Sequence, residues 1–395
     1  MTEPLLVQLA TSLARPVGES ERKRARLHLL DWLACVAGAR RAELFAGDAL
    51  QRATLLGNVL EMDDVHRRGR LHPGPVIWPA VIGAHGAMDN LLDAAVRGYE
   101  AMIAVGETFD DEHYAHFHPT ATAGVFGAAA ASASQGAMHS ALGFAGSVSG
   151  GLWQMRHEAG AGKQWHVLHA VATGRRAAAF AAMGNVGPTR VLEGPQGLYA
   201  ATCAKARPMR LGTSWKISEV SFKPWAACRH AHPAIDAAME LRAKGMLRPP
   251  FHVETYADAL VFCDRPSPTS EIEAKFSLQH ALAVVADGRN AVPGDFTMDA
   301  VGALAHLRAQ VDIVEDSAIS ARYAAHFGAR VNGLELIDTR GDPERPIDEA
   351  TIVNKMSTLA RWGGLQPAEA ERARAVALEG NDAEAISTLL ESWLA

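Results

Sequence analysis

The run "PTATAGVFGAAAASASQ", residues 119–135, is the stretch of sequence that decides the fold. Alanine, glycine and serine fill most of its positions, and Pro119 stands where a first helical turn accepts proline. Side chains this small allow two helix axes to approach closely. Residues 121–138 are long enough to imitate a membrane span, but their hydrophobicity is too low for one. The run therefore predicts a close-packed helix inside the core of a soluble helical protein, with no membrane association.

Helical patterns continue on both sides of this run. Upstream, "ESERKRARLHLLDWLACVAGA" repeats apolar residues such as Leu29, Leu33 and Val36 at three- and four-residue steps, which makes a helical stripe. The stretches "NLLDAAVRGYEAMIAVGE", "HSALGFAGSVSGGLW" and "HVLHAVATGRRAAAFAAMG" carry small residues on their faces. We therefore expect residues 1–220 to form a large all-helical domain.

The character of the sequence changes near residue 220. "HVETYADALVFCD" and "RVNGLELID" contain β-type residues in partial alternation, and "EIEAKFSLQHALAVVADG" between them has a helical pattern. Pro233 is placed to open another helix after the loop "FKPWAACRHAH". The predicted fold is mainly α with a smaller α+β domain at residues 221–345. Residues 346–395 are expected to form helices that return to the helical domain.

Composition and charge exclude several classes of protein. The chain has 395 residues with 48% hydrophobic and 21% charged residues, which is ordinary globular composition. A net charge of −6 argues against a nucleic-acid binder with a broad basic surface. The four cysteines are scattered without a CxxC pair, which fits a reducing compartment. The N-terminal sequence lacks the pattern of a signal peptide, so we expect a cytoplasmic protein.

Histidines are clustered along the chain. There are 17, and many lie in four short stretches: His66 and His72; His113, His116 and His118; His166 and His169; His230 and His232. Histidine is both a proton carrier near neutral pH and a common metal ligand. "HYAHFH" and "HVLH" could each present two imidazoles on one side, and Asp63 with Asp64 could hold magnesium. However, HExxH, paired cysteines and a phosphate-binding motif are all absent, so no metal ion is expected.

Acid–base chemistry fits the pattern better. Lys163 precedes His166 by three residues, and one loop holds Lys223, Arg229 and His230. Clustered cations bind carboxylates and stabilise the enolate-like charge that forms when a proton leaves the adjacent carbon. A neutral histidine can take or return that proton. Motifs for nucleotide binding (GxxxxGK[ST], GxGxxG) and for a serine nucleophile (GxSxG) are not found. The sequence thus favours acid–base catalysis on an acidic small molecule.

Five blocks of this sequence resemble blocks of the MmgE/PrpD family and occur in the same order. They are "MDDVHRRGRLHPGPVIWPA", "FHPTATAGVFGAAAAS", "ALGFAGSVSGGLW" with "GKQWHVLHAVATG", "FKPWAACRHAHPAIDAA" and "EAKFSLQHALAVVADG". The resemblance spans roughly residues 20 to 390. The family includes 2-methylcitrate dehydratase, cis-aconitate decarboxylase and iminodisuccinate epimerase. It implies a large helical domain, a smaller lid domain with a pocket between them, a homodimer, no metal or organic cofactor, and a small polycarboxylate as substrate.

The resemblance also assigns site residues by position in the motifs. The catalytic candidates are His72, His118, Lys163 and His280, and the substrate-binding candidates are Asp63, Asp64, Lys223, Cys228, Arg229 and His230. Four positions depart from the family pattern. Glu61 stands where aspartate is common, Val65 replaces a small polar residue, and Cys228 and His280 replace a histidine and a tyrosine of the decarboxylase.

These observations lead to the hypothesis of a cofactor-independent lyase. His118 or His72 would take the proton next to a carboxylate, and Lys163, Lys223 and Arg229 would hold carboxylates and the developing charge. His280 would protonate a leaving hydroxyl or the product carbon. Dehydration is the first expectation and decarboxylation the second. The alternatives are an epimerase or isomerase of the same family, a catalytically inactive ligand-binding member, and a metallohydrolase.

Overall fold

The computed structural model describes residues 2–44, 47–83, 86–158 and 160–394. The chain divides into two compact units. We call the first the helical unit; it comprises Met1–Val59, Asp64–Val220 and Val353–Ala395. We call the second the mixed unit; it comprises Leu60–Asp63 and Ser221–Ile352.

The helices are short to medium in length, and α2, α5 and α9 are the longest. The helices up to residue 220 are α1 (Leu5–Leu13), α2 (Glu19–Ala39), α3 (Ala49–Leu56), α4 (Gly74–Val81), α5 (Met88–Gly106), α6 (Asp111–His116), α7 (Pro119–Ser132), α8 (Met138–Gly146), α9 (Gly162–Ala182) and α10 (Leu198–Thr202). The next helices are α11 (His232–Ala243), α12 (Ala257–Cys263), α13 (Glu271–Lys275), α14 (Leu278–Ala286), α15 (Met298–Ala303), α16 (Ala305–Arg308) and α17 (Ser317–Ser320). The last are α18 (Glu349–Trp362), α19 (Pro367–Leu378) and α20 (Glu384–Leu394). Short 3-10 helices lie at Gln135–Ala137, Trp153–Arg156, Lys216–Glu219, Arg229–Ala231 and Pro293–Phe296.

The helix α7 is the centre of the helical unit, as its small side chains predict. It packs against α4, α5, α8 and α9, and its residues from Pro119 to Ala131 are all buried. Gly174 of α9 shows how close the axes come: a Cβ added there would lie 2.4 Å from the Cβ of Ala128 and 2.5 Å from the backbone nitrogen of Ala129. The predicted helix is therefore confirmed, and its small residues are needed for this close contact.

The mixed unit contains one small sheet with strand order β2-β1-β3-β4, where β1 is Phe251–Thr255, β2 is Val311–Glu315, β3 is Ala329–Val331 and β4 is Leu334–Leu336. β1 pairs parallel with β2 and antiparallel with β3, and β3 and β4 form an antiparallel hairpin. Asn332 and Gly333 connect the hairpin with φ values of 44° and 88°. Asparagine followed by glycine tolerates positive φ at both positions, which is why "RVNGLELID" makes a tight hairpin.

Two sequence expectations differ from the structure in this unit. "HVETYADALVFCD" is a strand only up to Thr255, and its second half is the helix α12. The buried residues Ala259 and Cys263 lie four positions apart, which is a helical and not an alternating spacing. "EIEAKFSLQHALAVVADG" forms two helices, since Ser277 interrupts the run and accepts the His280 backbone N–H at 3.0 Å as the N-cap of α14.

The protein is mainly α-helical with a small four-stranded sheet, in agreement with the predicted class. Among the described residues, no helix combines the length and the apolar character that crossing a membrane requires.

Candidate active-site residues in the two units

The predicted site residues belong to both units. Asp64, His72, His118 and Lys163 lie in the helical unit, and Asp63, Lys223, Cys228, Arg229, His230 and His280 lie in the mixed unit. Each group is described within its own unit.

Asp64 anchors the loop that contains His72. One carboxylate oxygen, Oδ1, accepts the Gly74 backbone N–H at 2.7 Å. The other, Oδ2, accepts the Tyr99 hydroxyl at 2.6 Å and lies 2.8 Å from Nδ1 of His28. Burial holds the pKa of His28 well below its usual value, so His28 is neutral and donates through Nδ1. Asp64 therefore joins the loop to α2 and α5, and the sequence did not indicate the partners His28 and Tyr99.

Two hydrogen bonds from His72 fix the position of its ring. Nδ1 lies 3.0 Å from the backbone oxygen of Asp64, and the backbone N–H donates to Oγ1 of Thr120 at 3.1 Å in the first turn of α7. Because a carbonyl oxygen can only accept, the ring proton is on Nδ1 and the lone pair is on Nε2. Half-buried His72 thus has the tautomer of a base at Nε2.

His118 and His166 form a pair of imidazoles. His118 precedes α7, is 2% exposed, and its Nδ1 lies 3.2 Å from Nδ1 of His166 in α9. A hydrogen bond between these two nitrogens needs one that carries a proton and one that does not. Burial, together with the charge of His169, lowers the pKa of His166. The pair can therefore hold and transfer one proton.

The backbone around Gly151 positions His118. The His118 N–H donates to the Gly151 oxygen at 2.9 Å, and the His118 ring lies 4.6 Å from the ring of Trp153. Gly151 has a φ of 119°, and a Cβ there would lie 2.4 Å from the Cβ of Ala121. Only glycine fits this conformation and this contact.

Lys163 lies in the first turn of α9, three residues before His166. Residues three apart on a helix share a face, so the half-buried Lys163 side chain and the His166 ring begin on the same side of α9. His166 is a candidate site residue that the motif positions did not include. Its spacing to Lys163 in "GKQWH" was the available signal.

The three histidines of "HYAHFH" contact different partners and do not form a common metal site. His113 is bound on both nitrogens, by Thr202 at 2.8 Å and Thr122 at 2.9 Å, and burial lowers its pKa to about 4. His116 is exposed and lies near Glu112, while His118 contacts His166.

Two groups of described residues have the spacing to hold a metal ion. They are His66, Glu107 and Glu219, and His326, Asp338 and Glu344. In the first group, Lys216 Nζ lies 2.8 Å from Oε2 of Glu107, and Arg210 pairs with the other oxygen. A hydrogen bond from His66, with Lys216 and Arg210 nearby, lowers the pKa of Glu219 to about 2 although burial opposes this. Cationic side chains already balance these carboxylates, so this group is an ion-pair network.

Lys223 is the charged centre of the mixed unit. Its side chain is fully buried, and Nζ lies 3.3 Å from Oδ1 of Asp63, which is 1% exposed. A buried ammonium is stable only beside compensating charge and hydrogen bonds. The pair therefore keeps a positive group with three N–H donors inside the unit.

The Cys228 thiol belongs to the same charged neighbourhood. Burial raises the pKa of Cys228, but the neighbouring Cys263 thiol, the His230 backbone N–H and the charge of Lys223 together bring it below its usual value, against the charge of Glu61. Burial and the neighbouring Cys228 raise the pKa of Cys263 well above its usual value.

Arg229 is held by one edge of its guanidinium. Nη2 pairs with Oδ1 of Asp342, an oxygen that also accepts the Ser221 hydroxyl at 2.6 Å. The side chain is 4% exposed, and its Nε and Nη1 are buried without a hydrogen-bond partner among the described residues. An arginine fixed in this way has donors with which to bind an anion.

His230 is packed in an aromatic cluster. Nδ1 lies 2.8 Å from the hydroxyl of Tyr256, and the ring stacks on Phe262 at 4.7 Å and on Phe327 at 5.5 Å. These contacts give the His230 side chain a packing role, and the substrate-binding role assigned by motif has no support in them.

His280 is neutral and buried. Its Nε2 lies 2.8 Å from the backbone oxygen of Asp295, and burial lowers its pKa to about 4. The ring proton is therefore on Nε2, and the buried Nδ1 has no hydrogen-bond partner among the described residues. This tautomer accepts a hydrogen bond or a proton at Nδ1, which does not favour the predicted role as a proton donor.

Two family models match the chain. The MmgE/PrpD N-terminal domain matches residues 48–210, and the MmgE/PrpD C-terminal domain matches residues 225–380. No curated protein sequence matches this chain.

Proposed function

This chain belongs to the MmgE/PrpD family, which generally contains lyases such as dehydratases, and from that premise we propose that it is a dehydratase acting on a small polycarboxylate. The observation that carries the proposal is the His118–His166 pair, with Lys163 one turn before His166 on α9. The pair supplies a base, and the lysine supplies a positive charge for a carboxylate.

The proposed reaction begins with proton abstraction. His118 takes the proton from the carbon beside a carboxylate, and Lys163 stabilises the negative charge that moves onto that carboxylate. The electron pair then forms a carbon–carbon double bond as hydroxide leaves the neighbouring carbon. The imidazolium returns its proton to the hydroxide, so that water and an unsaturated acid are the products.

The contact with His166 supports His118 as the base. The lowered pKa of His166 keeps its imidazole neutral at pH 7, so it can accept or donate a hydrogen bond as His118 changes charge. His72, with its lone pair on Nε2, is proposed to accept a hydrogen bond from the substrate. These assignments use side chains of the helical unit.

In the mixed unit, Lys223 and Arg229 are proposed to bind carboxylates. Lys223 supplies a buried ammonium, and Arg229 supplies the buried donors Nε and Nη1. Arginine and lysine are the residues that recognise carboxylates most strongly. Asp63 and Cys228 are proposed to set the charge around Lys223, and no metal ion or organic cofactor takes part in the proposed reaction.

The proposal is tested by proton exchange in deuterated buffer. Chelator-treated protein is incubated with a panel of di- and tricarboxylates, including hydroxy and unsaturated members, and followed by NMR. We expect deuterium on the carbon beside a carboxylate and an alkene signal from the dehydrated product. Inversion of configuration at the exchanging carbon without an alkene signal would indicate an epimerase instead. Release of carbon dioxide would indicate a decarboxylase. Absence of exchange on the whole panel would contradict the proposed function.

The Lys163→Ala variant tests the assigned carboxylate contact in the same assay. We expect loss of turnover, because the substrate carboxylate would lose the cation proposed to bind it. The matched control is Arg176→Ala, an exposed cation further along α9. Unchanged turnover in Lys163→Ala would remove the residue from the site.

We also propose that the protein is a homodimer. Along and just after α9, the helical unit exposes Trp165 (62%), Phe180 (48%), Met183 (79%) and Val186 (80%). Large apolar side chains exposed along and just after one helix support burial against a partner, here a second copy. A Met183→Asp, Val186→Asp double variant should shift the mass in solution toward the monomer. A wild type that is monomeric at micromolar concentration would contradict this proposal.

A further inference from the structure

The mixed unit contains a cavity of about 480 Å³. One wall is a single face of α11, where Asp236, Met239, Glu240 and Ala243 recur at three- and four-residue steps. The other wall belongs to residues 339–346, which we call the pocket loop. The volume lies in the range of about 300–1,000 Å³ that is usual for small-molecule sites. The proposed reaction does not use this cavity.

Three of the four charged side chains that line the cavity are paired with one another. Arg345 Nη2 lies 2.7 Å from Oε1 of Glu240 and 3.5 Å from Oδ2 of Asp236. Oδ2 of Asp236 also accepts the Arg340 backbone N–H at 2.8 Å and the Thr339 hydroxyl at 3.2 Å. Both carboxylates are therefore compensated by groups that are already in place.

The side chain of Arg340 is the fourth charged group. It is exposed, and it makes no hydrogen bond or ion pair with any residue that the structure describes. The charge of Arg340 acts on Asp348, but Oδ1 of Asp348 accepts the N–H and the hydroxyl of Thr351 at 2.9 and 2.6 Å. Met239 and Pro346 add apolar surface to the same cavity. The cavity thus combines an apolar wall with a guanidinium that can bind a carboxylate through a planar fork of donors.

We propose that this cavity is a second binding site, which takes a monocarboxylate with an apolar tail. The carboxylate binds the Arg340 guanidinium, and the tail lies against the apolar side chains of the cavity. A polycarboxylate fits less well, because Asp236 and Glu240 line the remaining polar surface and repel a second carboxylate. The ligand class therefore differs from the substrate class proposed above.

The pocket loop also holds Arg229. Asp342 pairs through Oδ1 with Nη2 of Arg229, and its Oδ2 accepts the Thr339 N–H at 3.0 Å. The Gly341 oxygen accepts the Phe222 N–H at 3.0 Å. Gly341 has a φ of 98°, and a Cβ there would lie 2.1 Å from the Phe222 oxygen, so only glycine allows this contact. One tightly bonded stretch of backbone therefore lines the cavity and positions Arg229.

The second part of the proposal rests on the proposed function, in which Arg229 binds a carboxylate of the substrate. A ligand on Arg340 stabilises the pocket loop in the conformation in which Asp342 holds Arg229, so the substrate binds more tightly. Two sites that are coupled in this way change each other's affinity by the same factor.

The first test uses hexanoate as the probe and measures its dissociation constant with the full chain by ligand-observed NMR. Hexanamide, which has the same tail without the charge, is the matched ligand. We expect saturable binding of hexanoate and at least about tenfold weaker binding of hexanamide, because the charged acceptor is absent. Absence of saturable hexanoate binding, or equal affinity for the two ligands, would overturn the proposal.

Two variants test the position of the probe. Arg340→Ala removes the proposed cation and should weaken hexanoate binding by about 10–100-fold. Ala243→Trp fills the cavity and should weaken binding by a similar factor. Both residues are exposed, so both variants should fold. The matched control is Arg248→Ala, which removes an exposed cation of the same unit and should bind hexanoate as wild type does. Equal affinity in wild type and Arg340→Ala would overturn the proposal.

The Asp63→Asn, Lys223→Met double variant separates this cavity from the site proposed for the substrate. Loss of hexanoate binding in the double variant, with full binding in Arg340→Ala, would place the probe at Lys223 and reject the second site. These measurements do not depend on turnover, so they succeed or fail separately from the proposed dehydratase activity.

The link to Arg229 is tested where a substrate has been identified. Hexanoate should then lower the KM of the substrate at unchanged kcat in wild type, and it should have no effect in Arg340→Ala. A KM that hexanoate leaves unchanged or raises in wild type would reject the coupling between the cavity and Arg229.

Discussion

Asp63 and Asp64 are adjacent in sequence, belong to different units and have opposite electrostatic partners. Asp64, in the helical unit, accepts hydrogen bonds from an amide, a hydroxyl and a neutral histidine. Asp63, in the mixed unit, faces the buried ammonium of Lys223. The same residue type therefore fixes a loop in one unit and balances a charge in the other. The contrast extends to the predicted chemistry, which is proton transfer by histidines in the helical unit and anion binding by cations in the mixed unit.

The largest expected effect is on turnover in the helical unit. His118→Gln and His166→Gln should each lower turnover by about 10²–10⁴-fold, the usual contribution of a positioned acid or base. His169→Gln, an exposed position on the same helix, is the matched control and should remain near wild type. The measurement is the initial rate on the substrate identified by deuterium exchange. Equal losses in His166→Gln and His169→Gln would show that the imidazole pair has no special role.

Breaking the charge pair in the mixed unit should have the next largest effect. Asp63→Asn removes the carboxylate beside the buried ammonium of Lys223 and should reduce the free energy of unfolding by about 3–5 kcal/mol. Urea denaturation measures this, and the double variant Asp63→Asn, Lys223→Met should recover much of the loss. If the double variant is less stable than Asp63→Asn, the unpaired charge of Lys223 is not the reason why Asp63→Asn loses stability.

Asp64→Asn should destabilise the protein less, by about 2–4 kcal/mol. The asparagine amide keeps one oxygen that can accept a hydrogen bond. Its NH₂ group, however, would face the N–H and O–H donors of His28 and Tyr99, so about two hydrogen bonds to a charged acceptor are lost. Lys223→Met should not rescue this variant, in contrast to Asp63→Asn. Rescue of both aspartate variants by the same lysine change would erase the distinction between the two aspartates.

The sequence predicted those features that depend on local pattern. The stripe in "ESERKRARLHLLDWLACVAGA" predicted a helix, and α2 covers the whole of that stretch. Pro119 and Pro233 both lie in the first turn of a helix, as proline placement predicts. By contrast, β2 was not predicted. The segment from Val311 to Glu315 is only five residues long, and its pairing with β1, about sixty residues earlier, is a tertiary contact that a local pattern does not contain.

The sequence proposed residues for the candidate site but could not supply their partners. Motif positions suggested His118 and Lys223, whereas His166, His28 and Tyr99 come from other helices and their contacts depend on tertiary packing. The proton position on His280 depends on the backbone oxygen of Asp295, fifteen residues away. A sequence pattern does not contain such a contact, so the role of His280 as a proton donor could not be checked before the structure was known.

The smallest expected effect is on the pH dependence of the free energy of unfolding. It can be measured for one buried histidine of each unit. Burial lowers the pKa values of His113 in the helical unit and His280 in the mixed unit to about 4. In the unfolded chain both titrate near the ordinary value of about 6.5, so between these limits the unfolded state binds protons that the folded state does not. The two neutral histidines therefore make their full contribution to the free energy of unfolding above about pH 6.5. This free energy decreases as the pH falls toward 4, by up to about 1.4 kcal/mol per pH unit for each histidine.

His113→Gln and His280→Gln should each flatten this slope by one histidine, while His116→Gln, which is exposed, should leave it unchanged. Urea denaturation at a series of pH values measures all three slopes. His113 is bound on both nitrogens and His280 on one, so glutamine should lower stability at pH 7 more at position 113. A slope that is equal in wild type and both variants would mean that neither histidine stays neutral in the folded protein, and the proton position assigned to His280 would then have to be abandoned.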